Sequence, residues 1–265
     1  MCQIGTLMQA TLNNHRQQGS GPSALRGTSY LMHVLRGRYA PIFAQKAHKV
    51  SRPCCGREPS LVIEYMNKYL ESTEYIDWKN PEILSQAKVL ANGNGSLLEI
   101  SRNCFEFVRD EIKHSWDYKL NPVTLRASDV LKHATGYCFA KSHLLAALLR
   151  ANGIPAGLCY QRLTITDSPP FCLHGLNAVY LENFGWYRID ARGNKQGVAA
   201  EFFPPKEKLA FRIVAEGEAD LPEIWSEPLP VVVQVLRQSK TYQEVADNLP
   251  DVELVAANKA LQADG

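Results

Sequence analysis

Helical segments followed by a run of short strands make up most of the sequence, and this order predicts an α+β fold. The clearest helix covers 138–152 and stops at Gly153-Ile154-Pro155, where glycine and proline are typical of a helix end. After Pro155 the apolar period changes to two, which predicts strands. We therefore expect helices packed on an antiparallel sheet.

Helix-start signals predict further helices before that segment. Asn80 is a candidate N-cap, and Pro81 suits the first helical position of a helix that should end near Ala91. Ser96 precedes a longer helix with an apolar stripe, and 126–131 should form one more helical turn. The stripe consists of Leu97, Leu98, Ile100, Cys104, Phe105, Val108 and Ile112.

Residues after the long helix show the alternation expected of strands. The three strands are predicted at 157–164, 174–181 and 186–190. A tight turn at 182–185 should join the second and third strands as an antiparallel hairpin. Further on, Val231–Val235 is predicted to be a short extended segment and 241–246 a helix.

Charge divides the chain into two unlike parts. The 265 residues are 45% apolar and 21% charged, and the net charge of +2 favours neither a nucleic-acid nor a membrane partner. Residues 1–60 hold eight basic residues and one acidic residue, which leaves 21 basic and 26 acidic residues in the remainder. We expect a poorly structured basic segment at 1–60, a domain at 61–250 and a tail at 251–265.

Three interpretations of residues 1–60 remain open. The basic, acid-poor composition would suit an organelle transit peptide, and a disordered arm is equally compatible. The third, which we favour as a hypothesis, is that the natural protein begins near Met66 and the segment is translated upstream sequence. The stretch 28–47 could form a basic amphipathic helix.

Seven cysteines occur without the spacing of a disulfide framework. They are Cys2, Cys54, Cys55, Cys104, Cys138, Cys159 and Cys172. The sequence shows neither a signal-peptide pattern nor a span long enough to cross a bilayer, so a reducing cytoplasm is the simplest location. Neither Cys54-Cys55 nor Cys172-Leu173-His174 has a second pair at zinc-ligand spacing, so we expect no metal or cofactor.

Cys138 is the candidate nucleophile because it opens the 138–152 helix. A thiol in the first helical turn meets unpaired backbone N–H groups and the positive end of the helix dipole, and both favour the thiolate. The alternative is that Cys138 is a small buried apolar residue, as most free cysteines are.

His174 and Asp190 are the candidate partners of that thiol. His174 should begin the second strand and Asp190 should end the third, so the hairpin brings both to one sheet edge. A symmetric turn would pair His174 two or three residues beyond Asp190, so a bulge or offset is assumed. With the Cys138 helix starting at that edge, the three would form a Cys–His–Asp triad. Alternatively, His174 is an ordinary strand histidine and Asp190 caps the turn before Gly193.

Three motifs, in this order, resemble the transglutaminase-like family. Gly136-Tyr137-Cys138, with the helix and Gly153-Ile154-Pro155-Ala156 after it, resembles the nucleophile segment of that family. His174-Gly175-Leu176-Asn177-Ala178 and Trp186-Tyr187-Arg188-Ile189-Asp190 resemble its histidine and aspartate strands. The likeness is greatest to small bacterial transglutaminase-like domain proteins and covers roughly 61–250.

The resemblance implies a papain-like α+β core and a cysteine-dependent amide hydrolase or acyltransferase. Such an enzyme would act through a thioester acyl-enzyme on a peptide, a protein or a small amide, as a protease, an amidase or a transglutaminase-type enzyme. Calcium dependence and protein crosslinking are not implied, because the chain is smaller than animal transglutaminases and lacks their extra β-domains. A non-catalytic peptide-binding module and a thioester-dependent acetyltransferase remain as alternatives.

Further residues have weaker assignments. The backbone N–H of Cys138 is a natural oxyanion-hole donor. The indole N–H of Trp116 is a second candidate by resemblance, although a packing role is equally compatible. Arg192 and Lys195 could line the cleft and favour carboxylate-bearing substrates, although a solvated loop is the commoner explanation. His143 is expected to be a packing or surface residue. Asn177 and Tyr160 are cleft candidates without a firm role.

Overall fold

The computed structural model describes residues 66–93 and 95–254. The predictions for residues 1–60, including the helix at 28–47, therefore lie outside the described residues, as does most of the tail at 251–265. In the described part of the chain, no helix combines the length and apolar character needed to cross a membrane.

Helices precede and follow a central sheet. The helices are α1 (Pro81–Ala91), α2 (Leu97–Asp110), α3 (Ser115–Tyr118), α4 (Ala127–His133), α5 (Cys138–Ala151), α6 (Pro230–Gln238) and α7 (Tyr242–Asp247). The strands are β1 (Lys113–His114), β2 (Thr135–Gly136), β3 (Ala156–Thr164), β4 (Phe171–Leu181), β5 (Gly185–Ile189), β6 (Glu201–Phe203), β7 (Lys206–Lys208) and β8 (Ala219–Asp220). The predicted α+β class is confirmed.

Antiparallel pairing joins the central strands in the order β5-β4-β3-β8. The β3–β4 pair extends over nine residue pairs, from Ala156 opposite Val179 to Thr164 opposite Phe171. β1 and β2 form a separate parallel pair that aligns His114 with Gly136, directly before the N-terminus of α5. This short pair therefore ties the end of α2 to the start of α5.

Local capping explains where the first helices begin. The side chain of Asn80 accepts a hydrogen bond from the Glu82 N–H, and Pro81 occupies the first turn of α1. Ser96 and Glu99 form a reciprocal capping box at the start of α2. These starts were predicted correctly because they depend on residues two or three positions apart.

α5 is the centre of the core. All its residues from Cys138 to Arg150 are buried, and the helix packs on β3 and β4 on one side and on α1, α2 and α4 on the others. A helix that is apolar nearly all round needs such surroundings, because any exposed face would leave apolar surface in water. Burial on all sides fixes the position of the helix and of the thiol at its first residue.

Three local predictions were wrong. The valine run at 231–235 belongs to α6 rather than to a strand, since Pro230 begins a helix in which Val232 and Leu236, four residues apart, are buried. Leu97 and Leu98, predicted to lie in the apolar stripe of α2, are exposed. Ile112 is buried but lies beyond the end of that helix.

Arg150 closes the C-terminal end of α5 from inside the core. Its guanidinium donates to the carbonyl oxygens of Ala156, Glu71 and Ser226 at 2.8–3.0 Å. Burial lowers the pKa of this side chain to about 10, but it remains charged at neutral pH. The side chain therefore joins the segment before α1, the start of β3 and the segment before α6.

We expect Arg150→Met to lower the free energy of unfolding by on the order of 2 kcal/mol, because at least the Ala156 carbonyl loses its donor while buried. Urea unfolding measures the difference. Arg212→Met, which changes an exposed arginine in the same way, should alter stability by no more than about 0.5 kcal/mol. Equal stability of the two variants would contradict the bonding described for Arg150.

Candidate active site

Cys138 lies at the first residue of α5, and its thiol faces β4. Tyr137 is the N-cap residue and provides no side-chain cap, so the first turn of the helix is not capped by its own sequence. The Gly175 N–H donates to Sγ of Cys138 at 3.4 Å. A backbone N–H on the sulfur and the helix N-terminus beneath it both favour negative charge at this atom.

Gly175 allows β4 to approach the helix this closely. A Cβ at this position would lie 2.9 Å from Cδ1 of Phe139 and 3.1–3.2 Å from the backbone Cα and N of the same residue. Because those backbone atoms belong to the first turn of α5, they cannot move without displacing Cys138. The absence of a side chain at 175 thus sets the spacing between helix and strand.

His174 precedes that glycine and lies inside β4, opposite Gln161 of β3. The sequence placed it at the beginning of the strand, but the strand starts at Phe171. Its Nε2 is 2.8 Å from Oδ2 of Asp190. The charge of Cys138 also acts on the imidazole. Since Nε2 is engaged with Asp190, Nδ1 is the nitrogen that remains for the thiol.

No bulge is needed to bring His174 and Asp190 together. Pairing of β4 with β5 runs to Asn177 opposite Ile189. Continuing this register puts Asp190 opposite Leu176 and therefore diagonal to His174. Diagonal neighbours in a sheet are within reach of long side chains. The assumed offset in the hairpin was therefore wrong, although the two residues do meet.

Asp190 is completely buried and receives several hydrogen bonds. Besides the imidazole, the Arg192 N–H donates to Oδ1 at 3.1 Å and the Ala210 N–H donates to Oδ2 at 3.0 Å. Burial alone would raise the pKa of Asp190, but the charge of His174 and these donors lower it below its ordinary value. The carboxylate is therefore ionised in the folded protein.

The ionised carboxylate acts on the neighbouring imidazole. Burial works to lower the pKa of His174, but the charges of Asp190 and Cys138 and their hydrogen bonds outweigh it and raise this pKa to about 10. His174 is 4% exposed, so water screens these interactions little. The favoured state near neutral pH is an imidazolium held between a carboxylate and a sulfur.

The segment after β7 covers the imidazole. The Phe211 ring packs edge-on against His174, with the two ring centroids 4.9 Å apart. Ala210, the residue before it, provides one of the hydrogen bonds to Asp190. Sequence patterns gave no indication of this contact, because the segment is far from β4 in the chain and has no regular periodicity.

Trp116 lies on α3 and is half-buried. Its ring packs edge-on against Tyr242 of α7 with centroids 6.0 Å apart. The hydroxyl of Tyr137, the residue before Cys138, donates to the backbone oxygen of the same Tyr242 at 2.5 Å. Trp116 is therefore packed on the Tyr137 side of the helix N-terminus, and its role as an oxyanion donor stays a prediction.

Three of the residues with weaker assignments, His143, Asn177 and Tyr160, are buried. His143 lies inside the core with Nδ1 2.7 Å from the Leu125 oxygen, which agrees with the packing role predicted for it. Asn177 donates to the backbone oxygens of Ser142 and Gly157 and so joins α5 to β3. The Tyr160 hydroxyl accepts a hydrogen bond from the Leu229 N–H.

A charged network that sequence reasoning did not find lies beside Asp190. The Arg192 guanidinium binds both oxygens of Asp117 at 2.7 and 3.1 Å, and Lys195 reaches the same carboxylate at 2.6 Å. His114 lies next to this network and packs edge-on against Tyr137. Asp117 is 75 positions before Arg192 in the chain, so no local signal pointed to its carboxylate.

No group of three or more histidine, cysteine or acidic side chains suited to hold a metal ion occurs among residues 66–93 and 95–254. The segment Cys172-Leu173-His174 lies in β4, where the imidazole of His174 is engaged with Asp190.

Comparison with protein families gives one match. The model of the transglutaminase-like superfamily matches residues 85–191. Residues 85–191 are a transglutaminase-like superfamily domain. This confirms the resemblance over the segment that contains Cys138, His174 and Asp190, and it supports a general transglutaminase-like function. A comparison with curated proteins gave no match.

Several solved structures are similar to this chain at low identity. A candidate cysteine protease from Cytophaga hutchinsonii is 18% identical over 51% of this chain and 45% of its own, with a TM-score of 0.42. The periplasmic domain of TgpA from Pseudomonas aeruginosa is 18% identical over 49% and 47%, with a TM-score of 0.37. A candidate protease from Parabacteroides distasonis is 13% identical over 62% and 30%, with a TM-score of 0.34. The chain spans less than half the length of each.

We expect Gly175→Ala to destabilise the transglutaminase-like domain by about 1–3 kcal/mol, because the new methyl group overlaps the first turn of α5. Displacement of that turn should also slow alkylation of Cys138 by iodoacetamide. Urea unfolding and peptide mapping of the alkylated protein measure the two effects. Unchanged stability together with an unchanged alkylation rate would show that helix and strand are further apart than described.

We expect Asp190→Asn to lower stability by on the order of 2–3 kcal/mol, in a pH-dependent way. The pKa of Asp190 is lowered in the folded state, so its contribution to the free energy of unfolding is present above about pH 4 and lost as the pH falls. The pKa of His174 is raised from 6.5 to about 10, so its contribution is complete below 6.5 and lost as the pH rises toward 10. The difference from wild type should be largest between about pH 4 and 6.5.

Urea unfolding of both proteins from pH 3 to 10 measures this difference. Asp247→Asn, on an exposed position of α7, is the matched control and should show a small difference at every pH. A difference for Asp190→Asn that does not vary with pH would contradict the charge coupling of His174 and Asp190.

Proposed function

We propose that this protein is a cysteine-dependent enzyme that cleaves amide bonds through a thioester acyl-enzyme, with Cys138, His174 and Asp190 as its triad. Hydrolysis, as a protease or amidase, is favoured over transfer to an amine, because no acceptor-amine site is evident from the sequence. The observation that carries the proposal is the position of His174, whose Nε2 lies 2.8 Å from Oδ2 of Asp190 and whose neighbour Gly175 donates its N–H to Sγ of Cys138 at 3.4 Å.

The first step is attack of the Cys138 sulfur on the amide carbonyl carbon. The Gly175 N–H and the start of α5 stabilise the thiolate before attack. As the C–S bond forms, the carbonyl oxygen takes up the negative charge. The backbone N–H of Cys138 is the first oxyanion donor we assign and the indole N–H of Trp116 the second.

His174 then supplies the proton that the leaving amine needs. Because the imidazole is held as an imidazolium, Nδ1 can donate its hydrogen to the amide nitrogen as the C–N bond breaks. The products of this step are a free amine, a neutral imidazole and a thioester on Cys138. Asp190 keeps the hydrogen on Nε2 and so fixes the tautomer.

Water completes the hydrolytic cycle. Neutral His174 accepts a proton from the attacking water through Nδ1, hydroxide adds to the thioester carbon, and the sulfur leaves as the thiolate. An amine in place of water would give transfer by the same steps. A peptide, a protein or a small amide could supply the acyl group.

We assign this activity to the domain at 61–250, which extends beyond the family match on both sides. A cytoplasmic location would suit it, because Cys104, Cys138 and Cys159 are free thiols.

We expect iodoacetamide at pH 6 to modify Cys138 on the order of 100-fold faster than Cys104 and Cys159. Burial raises the pKa of both comparison thiols to about 12, so they remain protonated and unreactive. Peptide mapping by mass spectrometry after timed labelling gives the three rates, and His174→Ala should slow only that of Cys138. Equal, slow labelling of all three would support a binding module without turnover.

Turnover is tested with a panel of peptide amides and thioesters against wild type and Cys138→Ala. We expect release of an amine or thiol that Cys138→Ala abolishes and that Cys159→Ala, a buried cysteine of the sheet, leaves unchanged. An acetyl adduct on Cys138 without amide cleavage would indicate the acetyltransferase instead.

A further inference from the structure

A cavity of about 390 Å³ adjoins the site on the side of Asp190, and its walls carry excess positive charge. We call it the cationic pocket. Its charged lining residues are Arg109, Lys113, Arg192, Lys195, Asp110 and Asp117. Four cations against two carboxylates leave a surplus of two positive charges. The volume is in the range of cavities that hold small ligands.

The pairing inside the pocket shows which charges are in surplus. Arg109 and Asp110 neutralise each other through two bonds of 2.7 Å. Asp117 accepts from both Arg192 and Lys195, so one carboxylate serves two cations. Lys113 donates to the backbone oxygen of Asp110 at 3.0 Å, which satisfies a hydrogen bond but balances no charge.

His114 lines the same pocket and has an unused polar atom. The residue is 6% exposed, and its Nδ1 has no hydrogen-bond partner among the described residues. This nitrogen is 3.7 Å from Oδ2 of Asp117, too far for a hydrogen bond. Burial and then the charges of Arg192, Lys141 and Lys195 lower the pKa of His114 well below its ordinary value, so the ring stays neutral.

Repulsion among the cations also affects the pKa of Lys195. Burial and the charge of Arg192 lower the pKa of Lys195, and the bond to Asp117 does not fully offset them. Lys141 lies behind the pocket, where its ammonium group donates to the backbone oxygens of Ile112 and Arg109 rather than to a carboxylate. An anion entering the pocket would reduce all these repulsions.

Arg192 connects the pocket to the triad. Its N–H donates to Asp190, while its guanidinium lines the pocket. The guanidinium carbon is also 5.5 Å from the centre of the Phe211 ring, whose other neighbour is His174. One layer of side chains therefore separates the pocket from the imidazole.

We propose that the cationic pocket is a subsite that binds a carboxylate group of the substrate. Lys113 and Lys195 supply the donors. Arg192, whose guanidinium fork is occupied by Asp117, adds positive charge to the wall of the pocket. The enzyme would then prefer acyl donors with an acidic side chain or a free carboxyl group near the scissile amide. The assignment as a substrate subsite rests on the proposed function, but binding of a carboxylate at the pocket can be measured without turnover.

The direct test is calorimetric binding of glutarate and of its neutral diamide, glutaramide, to full-length Cys138→Ala protein. We expect glutarate to bind about tenfold more tightly, with an affinity that falls as salt is added. Lys113→Gln combined with Lys195→Gln should abolish the preference. Lys88→Gln, on an exposed position of α1, should keep it. Equal binding of the two ligands, or a preference that survives the double substitution, would overturn the proposal.

Two further measurements complete the test. If the double variant does not fold, Lys113→Gln alone should reduce the preference about threefold, since it removes one of the two surplus charges. Inorganic phosphate serves as a competing probe, and tighter binding of phosphate than of glutarate would overturn the assignment to a carboxylate.

Protection of the thiol connects the pocket to the cleft. With wild-type protein, glutarate should slow alkylation of Cys138 by iodoacetamide at least threefold, while glutaramide at the same concentration should not. Binding without protection would overturn the subsite assignment. Slow alkylation of Cys138 in the absence of any ligand would instead count against the proposed function, and the calorimetric result would still stand.

Discussion

The N-terminus of α5 lies so close to β4 that position 175 has room only for a glycine. This contact sets the distance between the sulfur of Cys138 and the imidazole of His174, because the two residues flank it on the helix and on the strand. Burial of α5 on all sides and the bonds of Arg150 at its other end prevent the helix from moving away. The core of the protein therefore fixes the distance between the helix and the strand that carry Cys138 and His174.

Charge coupling follows from that geometry. Asp190 is held ionised by the charge of His174 and by backbone donors, and it in turn holds His174 as an imidazolium inside a site with little exposure to water. In such surroundings an unpaired charge would be costly, so removing one of the three members changes the protonation of the others. Arg192, two residues after Asp190, is one of the surplus cations around Asp117. The carboxylate of Asp190 and the cationic pocket thus belong to one continuous electrostatic arrangement.

Sequence reasoning succeeded where the determinants are local. The starts of α1, α2 and α7 follow from the capping residues Asn80, Ser96 and Thr241, each of which bonds a backbone N–H two or three residues ahead. The tight turn at 182–185 predicted the hairpin of β4 and β5, and the hairpin in turn predicted that His174 and Asp190 lie close together. The valine run of α6 was misread because β-branched residues favour strands until packing against a core decides otherwise. The partnership of Asp117 with Arg192, the cover provided by Phe211 and the exposure of Leu97 depend on contacts across the fold, which no local pattern encodes.

The protonation of His174 tests the central claim most directly. Nitrogen chemical shifts of its imidazole can be followed by NMR from pH 5 to 11, in wild type and in Cys138→Ala. The account predicts an imidazolium in the wild type at pH 8, with the pKa raised to about 10, and a lower pKa once the Cys138 sulfur is removed. An imidazole that titrates near its ordinary value of 6.5 in both proteins would contradict the coupling of Cys138, His174 and Asp190.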